Sequence, residues 1–369
     1  MKKKILSILL LGALMVTAFA GCSSKKKDTD SGTGTTETKS VETDVEESVS
    51  NESSLKGQNV RVVIGSTSTS GDSYMIADIV TRYLAKEMGF NGKVDAIGNS
   101  DALSVIQESK GDGKTVMMFH DMAFMSVLFG AVSDDYALEN MTVGPRIGQN
   151  PGGCYGTPEE KEYKSLDEIT KYLKENPKET VSFNIEAGGT SHIAFCAYYL
   201  NLLDEEPDVA KRVKVIVGGT TAEKLQRMWD RNTDVIFGDV SAFEQYTKDG
   251  VDKQLKMNMF GSVSKVNGVD ITSMAEEGVT YNGKPFDFAK DFAMYFPKDM
   301  DASVLAEYEA AMQRVTENPE FIAEMNKLYY IPLSANEVTV DASKKFIYEK
   351  RDMCQQIIEH APDLDTLTR

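Results

Sequence analysis

Three short stretches rich in glycine and hydroxyl side chains carry the clearest chemical signal in the sequence. They are residues 65–72, 186–191 and 218–221. Each follows an apolar run and precedes a segment whose apolar residues have helical spacing. The first N–H groups of a helix have no intrahelical partner and carry roughly half a positive charge, so an anion can bind there without a cationic side chain. Gly71, Gly188 and Gly189 would let the backbone approach a ligand closely. The pattern indicates an anion site, with ordinary capped turns as the alternative.

Four titratable residues have competing roles; two lie in or beside these stretches and two lie at the end of the apolar run over residues 115–120. Asp72 is favoured as a helix cap, but it could instead accept a hydrogen bond from a ligand amine or hydroxyl. His192 is explained at least as well by a hydrogen bond to the backbone at a helix terminus as by ligand contact. His120 and Asp121 are adjacent, and neighbouring side chains on an extended segment face opposite ways, so a catalytic dyad is not expected.

Five short apolar runs supply the strands that would position these residues. They are "VRVVI" (60–64), "TVMMFH" (115–120), "VSFNI" (181–185), "VKVIV" (213–217) and "DVIFG" (234–238). Strands that alternate with helical segments at this interval predict βαβ units, parallel sheets and an α/β fold class. In such sheets the ligand binds beyond the carboxyl ends of the strands, where the stretches above lie.

The N-terminal residues are typical of an export signal. Lys2, Lys3 and Lys4 precede an apolar run over residues 5–18, and "FAGC" places Cys22 after small residues, as in a bacterial lipoprotein signal. We expect cleavage and lipidation at Cys22, with a plain signal peptide or uncleaved anchor as the alternative. Residues 23–56 are polar and acidic and predict a disordered linker. No later stretch approaches the roughly 20 apolar residues of a membrane span.

Length and charge narrow the possible function of residues 57–369. This part is longer than one hydrophobic core usually serves, so two domains are expected. The signal carries +3 and the linker has five Lys against eight Asp plus Glu, so residues 57–369 carry the whole net charge of -17. That charge disfavours nucleic acid and anionic membrane surfaces, and an anionic ligand would need a locally positive site.

The cysteines give no sign of a metal or disulfide framework. Besides Cys22 the chain has Cys154, Cys196 and Cys354, with no CxxC pair and no Cys/His cluster. Buried free thiols are the favoured interpretation, and we expect neither a metal nor a cofactor.

Several quoted segments resemble the extracytoplasmic solute receptors of tripartite tricarboxylate transporters, the TctC/Bug-type family. The similar segments are "VVIGSTSTSGDSYMIADIVTRYLAKEMG", "NIEAGGTSHIAFCAYYL", "VKVIVGGTTAEKLQRMWDRNTDVIFGDVSAFEQYTKDG", "VNGVDITSMAEEGV" and "FAMYFPKDMDASVLAEYEAAMQRVTENPEFIAEMNKLYYIPL". In order and spacing they cover about residues 59–360. The chain departs from the family at "STSTSG", where Pro and Gly-Gly are usual, and at Asp78, where the family has arginine.

The resemblance implies a two-lobed, type II periplasmic-binding-protein fold, each lobe a mixed, mostly parallel sheet flanked by helices. Such a receptor closes on a small organic anion, commonly a carboxylate, and holds it mainly with backbone amides and ordered water. Carried over by motif, the implied ligand contacts are Ser68, Thr69, Ser70, Gly71 and Asp72 in the first lobe, Gly188, Gly189, Thr190, Ser191 and His192 in the second, and His120, Asp121, Gly238 and Asp239 completing the cleft.

The resemblance also implies how the chain is divided and what it serves. Lobe crossings near Ile147 and Lys265 would give a first lobe from residues 57–147 and 266–369 and a second lobe from residues 148–265. The implied protein is a monomeric receptor outside the cytoplasm, lipid-anchored, that delivers its ligand to integral-membrane transporter subunits and is not an enzyme. The alternatives are a receptor for an ABC-type importer or sensor, or a secreted α/β hydrolase, against which stands the absence of GxSxG and of a plausible Ser/His/Asp set.

Overall fold

The computed structural model describes residues 52–368. The predicted signal peptide, the lipidation at Cys22 and the linker as far as residue 51 lie outside these described residues.

The folded body begins earlier than the sequence predicted. Residues 52–56 were assigned to the linker, but Leu55 is only 1% exposed and packs in the core. The side chain of Ser53 and the backbone N–H of Ser54 donate to the carboxylate of Glu307 at 2.7 and 2.9 Å. The linker prediction is therefore wrong for residues 52–56, because one apolar side chain in a polar stretch is enough to anchor it when a matching pocket exists.

Residues 52–368 form twelve strands, which alternate with helices over most of the chain. The strands are β1 (Asn59–Ile64), β2 (Asn91–Ala96), β3 (Thr115–His120), β4 (Met141–Asn150), β5 (Gly153–Pro158), β6 (Val181–Ile185), β7 (Val213–Val217), β8 (Val235–Asp239), β9 (Met257–Phe260), β10 (Thr280–Tyr281), β11 (Lys284–Pro285) and β12 (Lys290–Pro297). All five predicted strand runs are strands, which confirms the interpretation of these short apolar runs.

The strands form two five-stranded sheets of the same design and one small hairpin. The first sheet has the order β2-β1-β3-β12-β4 and the second the order β7-β6-β8-β5-β9, while β10 and β11 pair alone. In each sheet three neighbouring strands are parallel, and the remaining two, β12 and β4 or β5 and β9, are joined by antiparallel pairings. We call each sheet with its helices a lobe. The predicted α/β class with mixed sheets is confirmed.

Eleven α-helices accompany these strands in the described part of the chain. They are α1 (Asp72–Met88), α2 (Asn99–Glu108), α3 (Met122–Leu128), α4 (Leu166–Glu175), α5 (Thr190–Glu205), α6 (Pro207–Ala210), α7 (Thr221–Trp229), α8 (Val240–Phe243), α9 (Ala302–Thr316), α10 (Pro319–Lys327) and α11 (Val340–His360). Helices cover both faces of the first sheet. On β3, Val116 and Met118 join the core beneath α1 and α9, whereas Met117 and Phe119 join the core on the opposite face.

The chain passes between the two sheets twice. β4 ends at Asn150 and β5 begins at Gly153, and the return path lies between the end of β9 and Lys290 at the start of β12. The lobe boundaries at 147/148 and 265/266 stay predictions. The last residues differ from their predicted place in the first lobe, because Thr368 pairs with Val215 on the edge of the second sheet. Within residues 52–368, no helix is both long enough and apolar enough to cross a membrane.

Candidate functional site

The carboxyl ends of β1, β3, β6 and β8 meet between the two lobes. The side-chain amide of Asn150, at the end of β4, donates to Asp72 at 3.0 Å and to Asp239 at 2.7 Å, which joins the turn after β1 to the turn after β8. A Cβ placed on Gly189, after β6, would lie 3.4 Å from the sulfur of Met122, after β3. The four turns named from the sequence therefore border one cleft.

At two helices whose beginnings the sequence predicts as anion sites, side chains of the chain itself accept hydrogen bonds from N–H groups of the first turn. At α1, Gly71 is the N-cap, and the carboxylate of Asp72, the first helical residue, accepts the N–H of Ser73 at 2.7 Å. The prediction that Asp72 is the cap is wrong by one position, although its carboxylate still neutralises this helix end. At α7, Thr220 and Glu223 form a complete capping box.

At the two short helices beside the cleft, α3 and α8, a side chain likewise accepts a backbone N–H of the first turn. At α3 the Nδ1 atom of His120 accepts the N–H of Met122 at 3.3 Å. At α8 the carboxylate of Asp239 accepts the N–H and the hydroxyl of Ser241 at 3.4 and 3.1 Å. At each of these helix beginnings a side chain thus already accepts one N–H of the first turn.

The beginning of α5 is different. Gly189 is its N-cap, and among the described residues no side chain caps the helix or places an acidic group in its first turn. The hydroxyl of Thr190, the first helical residue, is buried in a residue only 5% exposed and has no hydrogen-bond partner among residues 52–368. The first N–H groups of this helix are thus open together with a buried hydroxyl, a combination suited to an anionic oxygen.

The neighbouring side chains of Ser191 and His192 bond backbone groups of the preceding turn, not the first N–H groups of α5. Ser191 accepts the N–H of Glu186 at 2.9 Å and donates back to the Glu186 carbonyl at 3.2 Å. The Nδ1 atom of His192 accepts the N–H of Gly188 at 3.1 Å, and Gly188 has a φ of +78°, which favours glycine. His192 therefore makes a hydrogen bond to the backbone, which is one of the two roles that its position in the sequence suggests.

His192 also forms part of the wall between the lobes. Its ring stacks on Phe129, at the end of α3, with ring centroids 4.2 Å apart. Burial lowers the pKa of His192 to about 4, so the ring is neutral at physiological pH. Because Nδ1 is an acceptor, the proton lies on Nε2, which is then available as a donor.

A cavity of about 540 Å³ opens beside the beginning of α5. Its wall contains Gly188 and His192, together with mainly apolar side chains from α3 and its following loop, the ends of β6 and β7, and the C-terminal segment; these include Phe129, Ala131, Ala187, Val217, Ile358 and Leu364. Asp363 and Asp365 add carboxylates at the C-terminal side. The volume lies in the range of small-molecule sites, and both lobes contribute to it.

An ion cluster joins the lobes at the other side of the cleft. It consists of Asp72, Asn150, Asp239 and Lys290, and we call it the interlobe cluster. The ammonium of Lys290 bonds Asp72 and lies 3.3 Å from Asp239. Lys290 and Asn150 face each other in the pairing of β12 with β4, so the strands that link the lobes place both donors between the two carboxylates.

The contacts in the interlobe cluster shift the pKa values of Asp72 and Lys290 toward their charged forms. Burial tends to raise the pKa of Asp72, but Lys290 and Asn150 overcome this and hold it well below its usual value. Burial tends to lower the pKa of Lys290, but Asp72 and Asp239 raise it above its usual value. Since both oxygens of Asp72 already accept hydrogen bonds, we infer no role for it in binding a ligand amine.

A second, fully buried network lies behind the cleft. Lys350 of α11 donates to Asp121 and Asp291, each at 2.7 Å, and Arg146 pairs with the other oxygen of Asp291. Burial raises the pKa of Asp121 to about 6 despite its contact with Lys350. His120 does not belong to this network. Burial lowers the pKa of His120 to about 3, and its ring lies near Phe292 and Asp72.

The remaining residues predicted for the site are not part of the wall of the cavity beside α5. Ser68, Thr69 and Ser70 are exposed, and the hydroxyls of Ser68 and Ser70 bond each other at 3.2 Å. Gly238 packs under a ring, since a Cβ there would lie 2.3 Å from Phe243. These residues border the cleft from β1 and β8 without contacting the cavity.

Several important residues were not predicted from the sequence. Lys290 and Asp291 stand as a charged pair beside the apolar strand "FAMYFP", a signal that could have marked them as buried ions. Asn150 and Phe129 carry no such signal. Among residues 52–368 no group of three His, Cys, Asp or Glu side chains could hold a metal ion. Cys154, Cys196 and Cys354 are buried free thiols, as expected.

No protein-family model and no curated protein matches the sequence. Solved structures do share the fold. The chain is similar to the periplasmic binding protein BugD at 16% identity and a TM-score of 0.62, over 82% of this chain and 96% of BugD. It is similar to MatC from Rhodopseudomonas palustris with bound malate at 14% identity and a TM-score of 0.64, over 81% and 99% of the two chains.

A further R. palustris protein, solved with adipate, is similar at 12% identity and a TM-score of 0.65, over 82% of this chain and 96% of that chain. At these identities the likeness concerns the fold. The chain has the two-lobed fold of the TctC/Bug-type solute-binding proteins, which confirms the resemblance at that level.

Proposed function

We propose that this protein is a solute receptor that captures a small organic anion, a carboxylate in the first instance, between its two lobes. The observation that carries the proposal is the beginning of α5, with its glycine N-cap, no capping side chain among the described residues and the buried, unpartnered hydroxyl of Thr190. A carboxylate oxygen placed there would accept the first N–H groups of the helix and the Thr190 hydroxyl.

Capture would be coupled to lobe closure. The beginning of α5 belongs to the second lobe, whereas Met122 and Phe129, which lie against it, belong to the first. A ligand that contacts both sides stabilises the closed arrangement by the difference between its contacts in the two states. Closure also removes water, which strengthens each amide contact.

The biological setting follows from the resemblance and from the fold shared with periplasmic receptors. The protein would be exported, anchored to the membrane through lipid at Cys22, and would deliver its ligand to a tripartite tricarboxylate-type transporter. An ABC-type importer or a sensor is the alternative partner, since receptors of one fold can serve any of these.

Two features of the site support a binding protein over an enzyme. His120 and Asp121 belong to separate hydrogen-bond networks, so they do not act as an acid/base pair. His192 is neutral, and its Nδ1 atom already accepts the N–H of Gly188. A general base for hydrolysis would need a free acceptor next to a nucleophile.

A thermal-shift panel of carboxylates, amino acids and phosphonates tests the proposal. A ligand at 100 times its Kd should stabilise the protein by about 2.7 kcal/mol, without turnover. Thr190→Val, which keeps the shape and removes the hydroxyl, should weaken binding, whereas Thr170→Val, which removes the hydroxyl of a threonine on α4, should not. Indifference of the wild type to every compound, or turnover of one of them, would contradict the receptor function.

A further inference from the structure

The helix beginnings at the cleft leave room for one carboxylate. At α1, α3, α7 and α8 a side chain of the chain itself already accepts a hydrogen bond from the first turn. The beginning of α2, beside Thr67, has no capping side chain, but its first turn contains the acidic Asp101, which disfavours an anion there. Only α5, among the helices described, combines an uncapped beginning with an unpartnered buried hydroxyl. A second carboxylate on the same ligand would find no equivalent group of donors.

The far side of the cleft also disfavours a second negative charge. At α1 the carboxylate of Asp72 already occupies the position that an anion would take at a helix beginning. The interlobe cluster contains two carboxylates and one ammonium, so its net charge is negative when all three groups are ionised. Like charges in a partly buried site repel more strongly than in water.

The cavity beside α5 is suited to an apolar group. Phe129, Val217, Ile358 and Leu364 contribute apolar surface, and the Nε2–H of His192 is a single neutral donor. The carboxylates on this side, Asp363 and Asp365, would repel a second acidic group of a ligand. Apolar walls with few polar groups are typical of sites that bind by burial of a ligand body.

We propose that the ligand is a monocarboxylate with an apolar body. The carboxylate binds at the beginning of α5, and the body occupies the cavity between Phe129 and the C-terminal segment. This inference rests on the proposed function, and it separates this chain from the relatives solved with malate and adipate, which are both dicarboxylates.

Hexanoate and adipate form a matched pair for the test, since they have the same length and differ by one terminal carboxylate. Isothermal titration calorimetry with the folded protein should give a Kd for hexanoate at least tenfold lower than for adipate. Equal or tighter binding of adipate would overturn the inference and leave the receptor function standing. Binding of neither acid, with a phosphonate or an amino acid bound instead, would likewise overturn it alone, whereas no binding of any panel compound would overturn both.

Two variants test the two physical causes separately. Asp72→Asn removes the charge that occupies the beginning of α1 and should shift the adipate/hexanoate affinity ratio at least tenfold toward adipate. Asp78→Asn, on the exposed side of the same helix in an ion pair with Arg82, is the matched control and should leave the ratio unchanged. Ala131→Trp should reduce the cavity and weaken hexanoate more than propionate. An unchanged ratio in Asp72→Asn, with a normal unfolding transition, would contradict the charge argument.

Discussion

Replacing Lys290 with methionine would remove the only ammonium of the interlobe cluster. Lys290 bonds Asp72 of the first lobe and lies 3.3 Å from Asp239 of the second. Methionine keeps much of the length of the side chain and none of its charge. The two carboxylates would then share only the amide hydrogens of Asn150.

The expected cost follows from the burial of the three charges. Removing one partner from a buried ion pair costs about 3 to 5 kcal/mol, because the other charge remains without compensation. The side chains of Lys290, Asp72 and Asp239 are still 12%, 17% and 18% exposed. We therefore expect Lys290→Met to lower the free energy of unfolding at pH 7 by about 3 kcal/mol, the lower end of this range.

The pH dependence distinguishes charge from packing. In the wild type the depressed pKa of Asp72 gives stability that is present above the unfolded value of about 3.9 and is lost as the pH falls through the lower folded value. The raised pKa of Lys290 gives stability that is present below its unfolded value of about 10.4 and is lost as the pH rises through the folded value. The wild-type contribution is therefore constant between about pH 5 and 9.

The variant should behave differently. Without Lys290 the two carboxylates repel each other, which raises the pKa of one of them above its unfolded value. Protonation then stabilises the variant as the pH falls from about 7 to 5, so its deficit relative to the wild type should shrink.

Urea unfolding followed by circular dichroism at pH 7 and pH 5 measures both effects. Lys298→Met is the matched control. It removes an exposed ammonium, one residue beyond β12, that donates to Asn140 at 3.2 Å, and it should change stability by less than about 0.5 kcal/mol. A deficit below about 1 kcal/mol for Lys290→Met at pH 7, or one that is the same at pH 5, would refute the reasoning.

Two further substitutions test other parts of the structure. Gly189→Leu should abolish ligand-induced stabilisation and leave the free protein nearly as stable as the wild type. Gly189 has a φ of -118°, and a Cβ there would meet only the sulfur of Met122 at 3.4 Å. Gly188 has a φ of +78°, so Gly188→Leu should instead lower the free energy of unfolding by about 1 to 2 kcal/mol. Retained ligand affinity in Gly189→Leu, measured by thermal shift, would remove this turn from the site. Leu55→Ala should cost about 2 to 5 kcal/mol in urea unfolding, since Leu55 is 1% exposed, and a loss under about 0.5 kcal/mol would mean that residues 52–56 do not stabilise the fold.

The strands and their order were predictable because their signals are local. Runs such as "TVMMFH" and "VKVIV" are short, apolar and bounded by glycine or charge, and two repeats of strand and helix determine the fold class. The capping box of Thr220 and Glu223 was also visible in the sequence, although it was interpreted as part of an open turn. Because this pair satisfies the N-terminal N–H groups of α7, the turn over residues 218–221 offers them to no ligand.

The composition of the site was less predictable because it depends on contacts between distant parts of the chain. Lys290 meets residues 218 and 51 positions away, and Asn150 meets Asp72 78 positions away. A carboxylate such as Asp72 looks the same in the sequence whether it faces a ligand or an ammonium. The polar loop over residues 68–70 predicts a ligand contact, and this stays a prediction; the hydroxyls of Ser68 and Ser70 bond each other.

An acidic protein can bind the proposed anionic ligand because its net charge and the contacts inside the cleft act over different distances. At physiological ionic strength the charge on residues 57–369 is screened beyond about 8 Å, so it slows the approach of an anion more than it weakens the bound state. Inside the cleft the nearest partners decide the affinity. The first N–H groups of α5 and the Thr190 hydroxyl would contact the proposed carboxylate, and the acidic groups of the interlobe cluster are already paired with Lys290 and Asn150. An anion site can therefore exist in a chain with a net charge of -17, provided that its donors are neutral backbone groups with no acidic side chain in the same helix turn.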